Sequence, residues 1–229
     1  YAQVIMFWTT EWQGRFQARH DAVLSSYTRH GYNVTVYMNH EDTLFQNIRE
    51  KHSTVSFVNM RTDFMESLRD CPNSQWLTKD KHKQGKYYYS HLTDYLRFCI
   101  LYKHGGIYSD FDALLLRRLP EAPRVKLVVG KDEIGEGEGG CEWCLGGGRH
   151  YAAPGVMIAG YYGLPVLKLA LQIGFGEDYD ESKFGWCGPQ ALTKAAKQAR
   201  QSIQLLPTHS LYPVNWSNAW RLYMSGSGT

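Results

Sequence analysis

The sequence has no long uncharged apolar run, so no stretch of it reads as a helix able to cross a bilayer. It also lacks a charge bias: 25 Lys and Arg face 22 Asp and Glu, a formal net charge of +3. The bases are scattered rather than gathered into a stripe, which argues against a nucleic-acid binder. Cysteine is sparse, and five residues are too few for a disulfide scaffold. No internal repeat and no linker-like stretch divides the 229 residues, so one domain over 1–229 is expected. The chain opens at Tyr1 almost directly into a strand and reads as a trimmed domain whose targeting segment, if any, is missing. What is plentiful is aromatic: sixteen Tyr and seven Trp. Such side chains suit carbohydrate and nucleobase faces, but they also fill cores, and core is the default.

Val4 to Trp8 (VIMFW) is a continuous apolar run of strand length, the pattern of a strand buried on both faces. Phe16 to His30 reads as a helix stopped by Gly31. Asn33 to Met38 and Thr54 to Val58 read as strands, with helical composition over Glu41 to Lys51 between them. This alternation predicts an α/β fold around a mostly parallel sheet. Asp70 to Lys86, with Pro72 and the cluster Lys79, Lys81 and Lys83, reads as a solvated surface loop. Further strands are expected at Val125 to Gly130, Gly155 to Ala159 and Ile203 to Leu206. Helices are expected over Leu164 to Ile173 and from Pro189, at the first helical position, through GPQALTKAAKQ. Lys131 to His150, rich in Gly and Glu, lacks periodicity and reads as a long loop.

The clearest helix lies in YYYSHLTDYLRFCILYKHGG. Leu92, Tyr95, Leu96, Cys99 and Ile100 recur at helical spacing and mark a buried face, and Gly105 ends the element. A second face carries Asp94, Arg97, Phe98 and Leu101. Asp94 and Arg97 are either an ordinary i, i+3 ion pair or two charges aimed together at a polar ligand. Then comes GGIYSDFDALLLRRL, in which Asp110 and Asp112 follow a short apolar strand. Two carboxylates so placed suit one hard cation, Mg²⁺ or Mn²⁺, beside a diphosphate. An aspartyl nucleophile for phosphoryl transfer is the other chemistry. That alternative expects the pair near the start of the domain, a nearby Thr and acidic residues downstream, none of which fits.

The block Tyr88 to Leu119 resembles the DXD-containing glycosyltransferases of the lactosylceramide α-1,4-galactosyltransferase and initiation-specific α-1,6-mannosyltransferase group. Their signature runs approximately S-D-x-x-R, a hydrophobic helix, then G-G-I-Y-x-D-x-D. GPQALT at Gly188 to Thr193 and LLPTHSLYPVNW at Leu205 to Trp216 are similar to later segments of the same group. The resemblance implies a GT-A-type, Rossmann-like fold and a metal-dependent, retaining hexosyltransferase using a nucleotide-sugar donor. UDP-galactose is the first expectation. GDP-mannose, or a related binding protein that has lost turnover, is the alternative.

Position by position, the resemblance implies that Asp110 and Asp112 hold Mn²⁺ (or Mg²⁺), the donor ribose and the diphosphate. Asp94 and Arg97 would grip hydroxyls of the donor sugar. Trp8, Thr9 and Thr10 would meet the nucleoside, and Gly106 and Tyr108 would border the donor. Gln190 is a further catalytic candidate, and Tyr212 and Trp216 are acceptor-side candidates. Related chains often carry a His near the C-terminus that completes the metal site. Here His209 is not assigned to that role, and the third ligand is left open. The implied partners are a nucleotide-sugar donor and a glycan, glycolipid or glycoprotein acceptor. Nucleic acid is not among them, and any membrane contact would run through a segment absent from this chain.

A Golgi or other secretory-pathway lumen is the implied location, and two sequons, Asn33-Val34-Thr35 and Asn215-Trp216-Ser217, permit it. Cys141 and Cys144 read as a local or longer-range disulfide in such a compartment, with free thiols as the alternative. Cys99 reads as a core residue.

Overall fold

The computed structural model describes residues 3–9, 17–39, 44–60, 62–79, 83–134 and 141–212. Seven strands make one sheet: β1 (Gln3–Trp8), β2 (Asn33–Met38), β3 (Val55–Asn59), β4 (Gly106–Ser109), β5 (Leu127–Glu133), β6 (His150–Ala159) and β7 (Ile203–Leu206). Their spatial order is β3-β2-β1-β4-β6-β5-β7. Helices α1 (Ala18–Arg29), α2 (Leu44–Lys51), α3 (Thr62–Glu66), α4 (Tyr88–His104), α5 (Pro165–Gly174), α6 (Ala191–Gln198) and α7 (Thr208–Leu211) complete the chain.

Side chains alternate across a strand, and this divides the core in two. Ile5, Phe7, Tyr108, Leu127, Val129 and Met157 point to one face and pack with α4, α5 and α6. Val4, Met6, Ile107, Val128 and Ile158 point to the other and pack with Val23, Leu24 and Tyr27 of α1. The apolar run VIMFW needed both layers, and it has them.

The sheet is mixed. β3, β2, β1 and β4 run parallel, as do β5 and β7, but β6 is antiparallel to both its neighbours. Parallel strands need a crossover, usually a helix, and the connection from β5 to β6 contains no α-helix among its described residues. β5 and β6 also pair as far as Glu133 with His150. Both therefore reach into the stretch expected to be a loop.

Three further expectations are corrected. The polar segment after Asp70 is not simply a solvated loop. Trp76, on a 3₁₀ turn at Ser74–Thr78, is buried against the rings of Tyr88, Tyr95, Phe175 and Tyr179. Cys99 is buried, but it is bonded to Cys71 and is more than an apolar filler. Pro189 does not begin a helix. It lies inside a wide π-helical turn at Trp186–Gln190, closed by the Gln190 amide donating to the Gly185 carbonyl at 3.1 Å, and α6 starts at Ala191.

Helix α4 is buried on nearly all sides from His91 to Leu101. It ends at Gly105 with φ +68°, where a Cβ would lie 3.0 Å from the Tyr161 carbonyl carbon. Only glycine turns the chain here and feeds it directly into β4.

The Cys71–Cys99 bond ties the Trp76 segment to the middle of α4 across a sequence separation of 28. Closing a loop of that size stabilises by about 3–4 kcal/mol in the chain-entropy treatment. The Cys71→Ala/Cys99→Ala double variant should therefore lose about that much in urea unfolding. An unchanged midpoint would show that the cross-link does not constrain the unfolded chain.

Candidate active site

β1 and β4 are adjacent parallel strands whose carboxyl ends lie side by side. β1 continues towards α1 on one face of the sheet, whereas β4 is entered from α4 on the other. Ligands of an open α/β sheet bind in the crevice outside the carboxyl ends of its strands. Trp8 stands at the end of β1, and Asp110 directly follows β4.

Asp110 is fixed from several sides. Its backbone amide donates to the Gly155 carbonyl at 2.7 Å, which continues the ladder with β6. Its Oδ1 accepts from the Tyr108 hydroxyl, and the Arg97 Nη1 reaches Oδ1 at 3.2 Å and Oδ2 at 3.3 Å. The side chain keeps 32% of its surface exposed, towards the crevice. Gly155 makes this approach possible, since a Cβ there would lie 3.0 Å from Asp110 Oδ2 and 3.1 Å from the Tyr212 hydroxyl. Asp112, two residues on, is exposed.

Arg97 is 7% exposed and joins the two elements. Its Nε meets Asp94 Oδ1 at 3.3 Å, its Nη1 donates to the Pro154 carbonyl at 3.1 Å, and its guanidinium lies 4.6 Å from the centre of the Tyr108 ring. Burial acts to lower its pKa, but Asp110, Tyr108 and Asp94 together outweigh that and keep it firmly charged. Asp94 is 4% exposed, and burial lifts its carboxyl to about 7; Arg97 opposes the shift and Asp110 adds to it. Asp110 is raised for the same first reason, burial, against Arg97 and with repulsion from Asp112. One guanidinium thus serves two carboxylates, with a third beside them. The cluster is short of positive charge.

The turn before α6 closes on this cluster. A Cβ on Gly188 would lie 2.5 and 2.6 Å from the two Asp94 oxygens, so the carboxylate rests directly on the glycine. The neighbouring Cys187 is a buried free thiol whose pKa is pushed up by burial and by Asp94. It donates to the Gly174 carbonyl at 3.3 Å.

Most of the candidate residues read from the sequence converge here. Asp94, Arg97, Tyr108 and Asp110 form one bonded cluster, with Asp112 at its mouth. Thr9 reaches α4, its hydroxyl bonded to that of Thr93 and donating to the Tyr89 carbonyl at 3.3 Å. Trp8 is half-buried, edge-on to His20 at 4.8 Å and to Phe111 at 5.3 Å. Gly106, with φ +95°, starts β4. Tyr212 packs beneath Asp110: its hydroxyl accepts from the Val156 amide at 2.8 Å and donates to the Ala153 carbonyl at 3.4 Å. Gln190 sits at the junction of the π-turn and α6. Thr10 and Trp216 lie outside the described residues.

Gly155, Gly188 and the Pro154 carbonyl were not singled out from the sequence, because their part is to leave room or present backbone. His20 was also missed. Burial and Arg19 lower its pKa while Asp112 acts to raise it, which places it within electrostatic reach of the pair. A lone His on an amphipathic helix gives no signal of that proximity.

The metal expected here fits the donor set. Asp110 and Asp112 supply hard oxygens at the mouth of a cluster lacking positive charge. Each carboxylate has about four acceptor sites, so the bonds to Tyr108 and Arg97 do not exhaust Asp110. Among the described residues no group of three or more His, Cys, Asp or Glu side chains is disposed to hold a metal. Such a set suits an ion that takes one or two carboxylates and completes its shell with phosphate and water.

Residues 30–136 match the family described as a glycosyltransferase sugar-binding region containing the DXD motif. That region includes Asp94, Arg97, Asp110 and Asp112. The chain is 27% identical over 172 residues to lactosylceramide 4-alpha-galactosyltransferase of Mus musculus and 25% identical to that of Homo sapiens. Each match covers 70% of this chain but only 42% and 43% of the relative, so the chain spans about two-fifths of their length. Among solved structures, the PaToxG glycosyltransferase superposes with a TM-score of 0.59 at 16% identity, over 86% of this chain and 69% of that one. A second transferase superposes at 0.54 with 11% identity, over 99% and 92%. The sheet and helices around the DXD region are a GT-A-like α/β fold.

Two outcomes test the cluster. Gly188→Ala should cost about 1–3 kcal/mol in urea unfolding through overpacking, and distinctly less in an Asp94→Ala background. Equal cost in both would mean that the methyl does not meet the carboxylate. The raised Asp94 carboxyl binds its proton more tightly when folded than in the unfolded chain, where it titrates near ~3.9. Stability should therefore fall as pH rises from about 4 to about 7, with that loss complete above 7. Asp94→Asn should flatten its share of the slope between pH 5 and pH 8, and an unaltered slope would assign the titration elsewhere.

Proposed function

We propose that this chain is the catalytic part of a metal-dependent, retaining hexosyltransferase that moves a sugar from a nucleotide diphosphate to a glycan, glycolipid or glycoprotein acceptor. UDP-galactose is the first choice of donor, in keeping with the names of the curated relatives. The observation that carries the reading is the joining of Asp94, Arg97 and Asp110 through one buried guanidinium at the carboxyl end of β4, with Asp112 exposed beside them.

In this reading Asp110 and Asp112 hold Mn²⁺ or Mg²⁺, which when bound supplies charge neutralisation to the departing diphosphate. Asp94 and Arg97 hold the donor hydroxyls and fix the ring, and Trp8 and Thr9 meet the nucleoside. The acceptor hydroxyl attacks the anomeric carbon from the face the phosphate leaves. As the new C–O bond forms and the old one breaks, the acceptor proton passes to the leaving phosphate oxygen. No protein nucleophile is required, so the side chains contribute position and electrostatics. Both oxygens of Asp110 are engaged by Arg97 or Tyr108, which fits this supporting role better than that of an aspartyl nucleophile.

A secretory lumen suits the chain, since its two disulfides, Cys71–Cys99 and Cys141–Cys144, belong to an oxidising compartment. Among the described residues no helix is long and apolar enough to cross a membrane.

Sugar release from a panel of UDP- and GDP-sugars, with Mn²⁺ and with EDTA, tests the class and names the donor. Asp110→Asn or Asp112→Asn should lower the Mn²⁺-dependent rate on the order of 100-fold or more, whereas the exposed downstream Glu177→Gln should not. Full activity in Asp112→Asn would sink the assignment.

A further inference from the structure

Phe184 is 73% exposed, although its surroundings are firmly held. His91, wholly buried on α4, bonds the Tyr179 hydroxyl through Nδ1 at 2.9 Å and the Lys183 carbonyl through Nε2 at 3.1 Å. Asp180 accepts from the Ser182 amide at 3.0 Å and hydroxyl at 2.6 Å, and pairs with Lys183 at 3.1 Å. Gly185 then turns with φ +75°. The loop is therefore pinned on both sides of a phenyl ring that it leaves in water. That ring lies against Tyr87, with centroids 5.4 Å apart, and the Lys86 ammonium lies 5.1 Å from the Tyr87 ring centre.

The position of this pair follows from helical geometry. At about 100° per residue, Tyr89 and Thr93 lie on the side of α4 that meets Thr9. Tyr87 and His91 lie on the side that meets the Tyr179–Phe184 loop. Asp94 falls between the two sides, capped by Gly188 of the same loop. The loop thus meets the helix at three levels, Gly188 at Asp94, Lys183 at His91 and Phe184 at Tyr87. The aromatic pair is about 10 Å along the helix from Asp94, on the side away from Trp8 and Thr9.

We propose that Phe184, backed by Tyr87, is the platform on which a hexopyranose ring of the acceptor stacks its apolar C–H face. This rests on the reading above, which puts the donor sugar at Asp94 and Arg97 with its nucleoside towards Trp8. An acceptor must then enter from the remaining side, where the fold presents a rigid, exposed aromatic face.

Two measurements test it. Ligand-observed saturation-transfer NMR with methyl β-galactoside, β-glucoside, α-mannoside and β-lactoside needs no turnover. At least one should receive saturation at its ring protons from the wild-type chain and lose it with Phe184→Ala. In transfer assays with that glycoside, Phe184→Ala should raise the acceptor KM about tenfold with the donor KM in place, and Phe184→Trp should restore it. Silence of all four glycosides, equal binding by wild type and Phe184→Ala, or a shift in donor KM instead would overturn the platform. If the wild type hydrolyses no donor yet binds a glycoside through Phe184, the enzymatic reading fails and the platform stands as a carbohydrate site.

Discussion

One buried guanidinium organises the site. Arg97 reaches across from α4 to the end of β4 and meets Asp94, Asp110, the Pro154 carbonyl and the face of Tyr108. An isolated charge at such burial would be prohibitively costly, so none of these partners can be removed without exposing another's need. Breaking a buried pair of this kind typically costs about 3–5 kcal/mol. The arrangement also leaves a deficit, because the guanidinium neutralises one carboxylate's worth of charge among three. Burial raises the Asp94 and Asp110 carboxyls, and repulsion from a neighbouring acid adds to the shift in each. A fold seeking only stability would not collect acids at a strand end and leave them short of positive charge.

The rest of the structure supplies what Arg97 needs. α4 can place Asp94 and Arg97 together because it is buried on both faces, and it is buried because the 3₁₀ turn carrying Trp76 covers one flank and α5 another. The Cys71–Cys99 bond holds that cover to the middle of the helix, about one and a half turns from Asp94 and about half a turn from Arg97. On the sheet side, β6 runs antiparallel beside β4 and brings Gly155 and Pro154 against the acid and the guanidinium. Tyr212 fills the space beneath, between the backbone of β6 and Asp110.

The parts legible in the sequence were those with local signals. The 3.6-residue recurrence in α4, the apolar run of β1 and the spacing from Asp94 to Asp110 each depend on neighbours a few residues away. What stayed hidden depends on pairing at a distance. Cys71 and Cys99 are 28 apart, and nothing in a polar stretch announces that its tryptophan packs among four aromatic rings. β6 was seen only as its last five residues, because its first half pairs with β5 alone, beyond the sheet's centre. Pro189 suggested a helix start, but the local preference yielded to Gly188, which must hold the chain close against Asp94.

The candidate site at the carboxyl ends of β1 and β4 is framed by both helical layers. At these two strands α1 packs on one face of the sheet and α4 on the other, so the walls of the site are built from core elements. Trp8 at one strand end and Asp110 at the other are consequently set by strands whose other side chains lie largely in the core. Precision at the site is inherited from the core, and side chains on mobile loops are not needed to provide it. The turn Trp186–Gln190 then crosses the opening from the α6 side and brings Gly188 onto Asp94. The conformation of that turn is coupled to a buried carboxyl, so whatever occupies the Asp94 side of the crevice bears directly on the position of the loop that ends in Phe184.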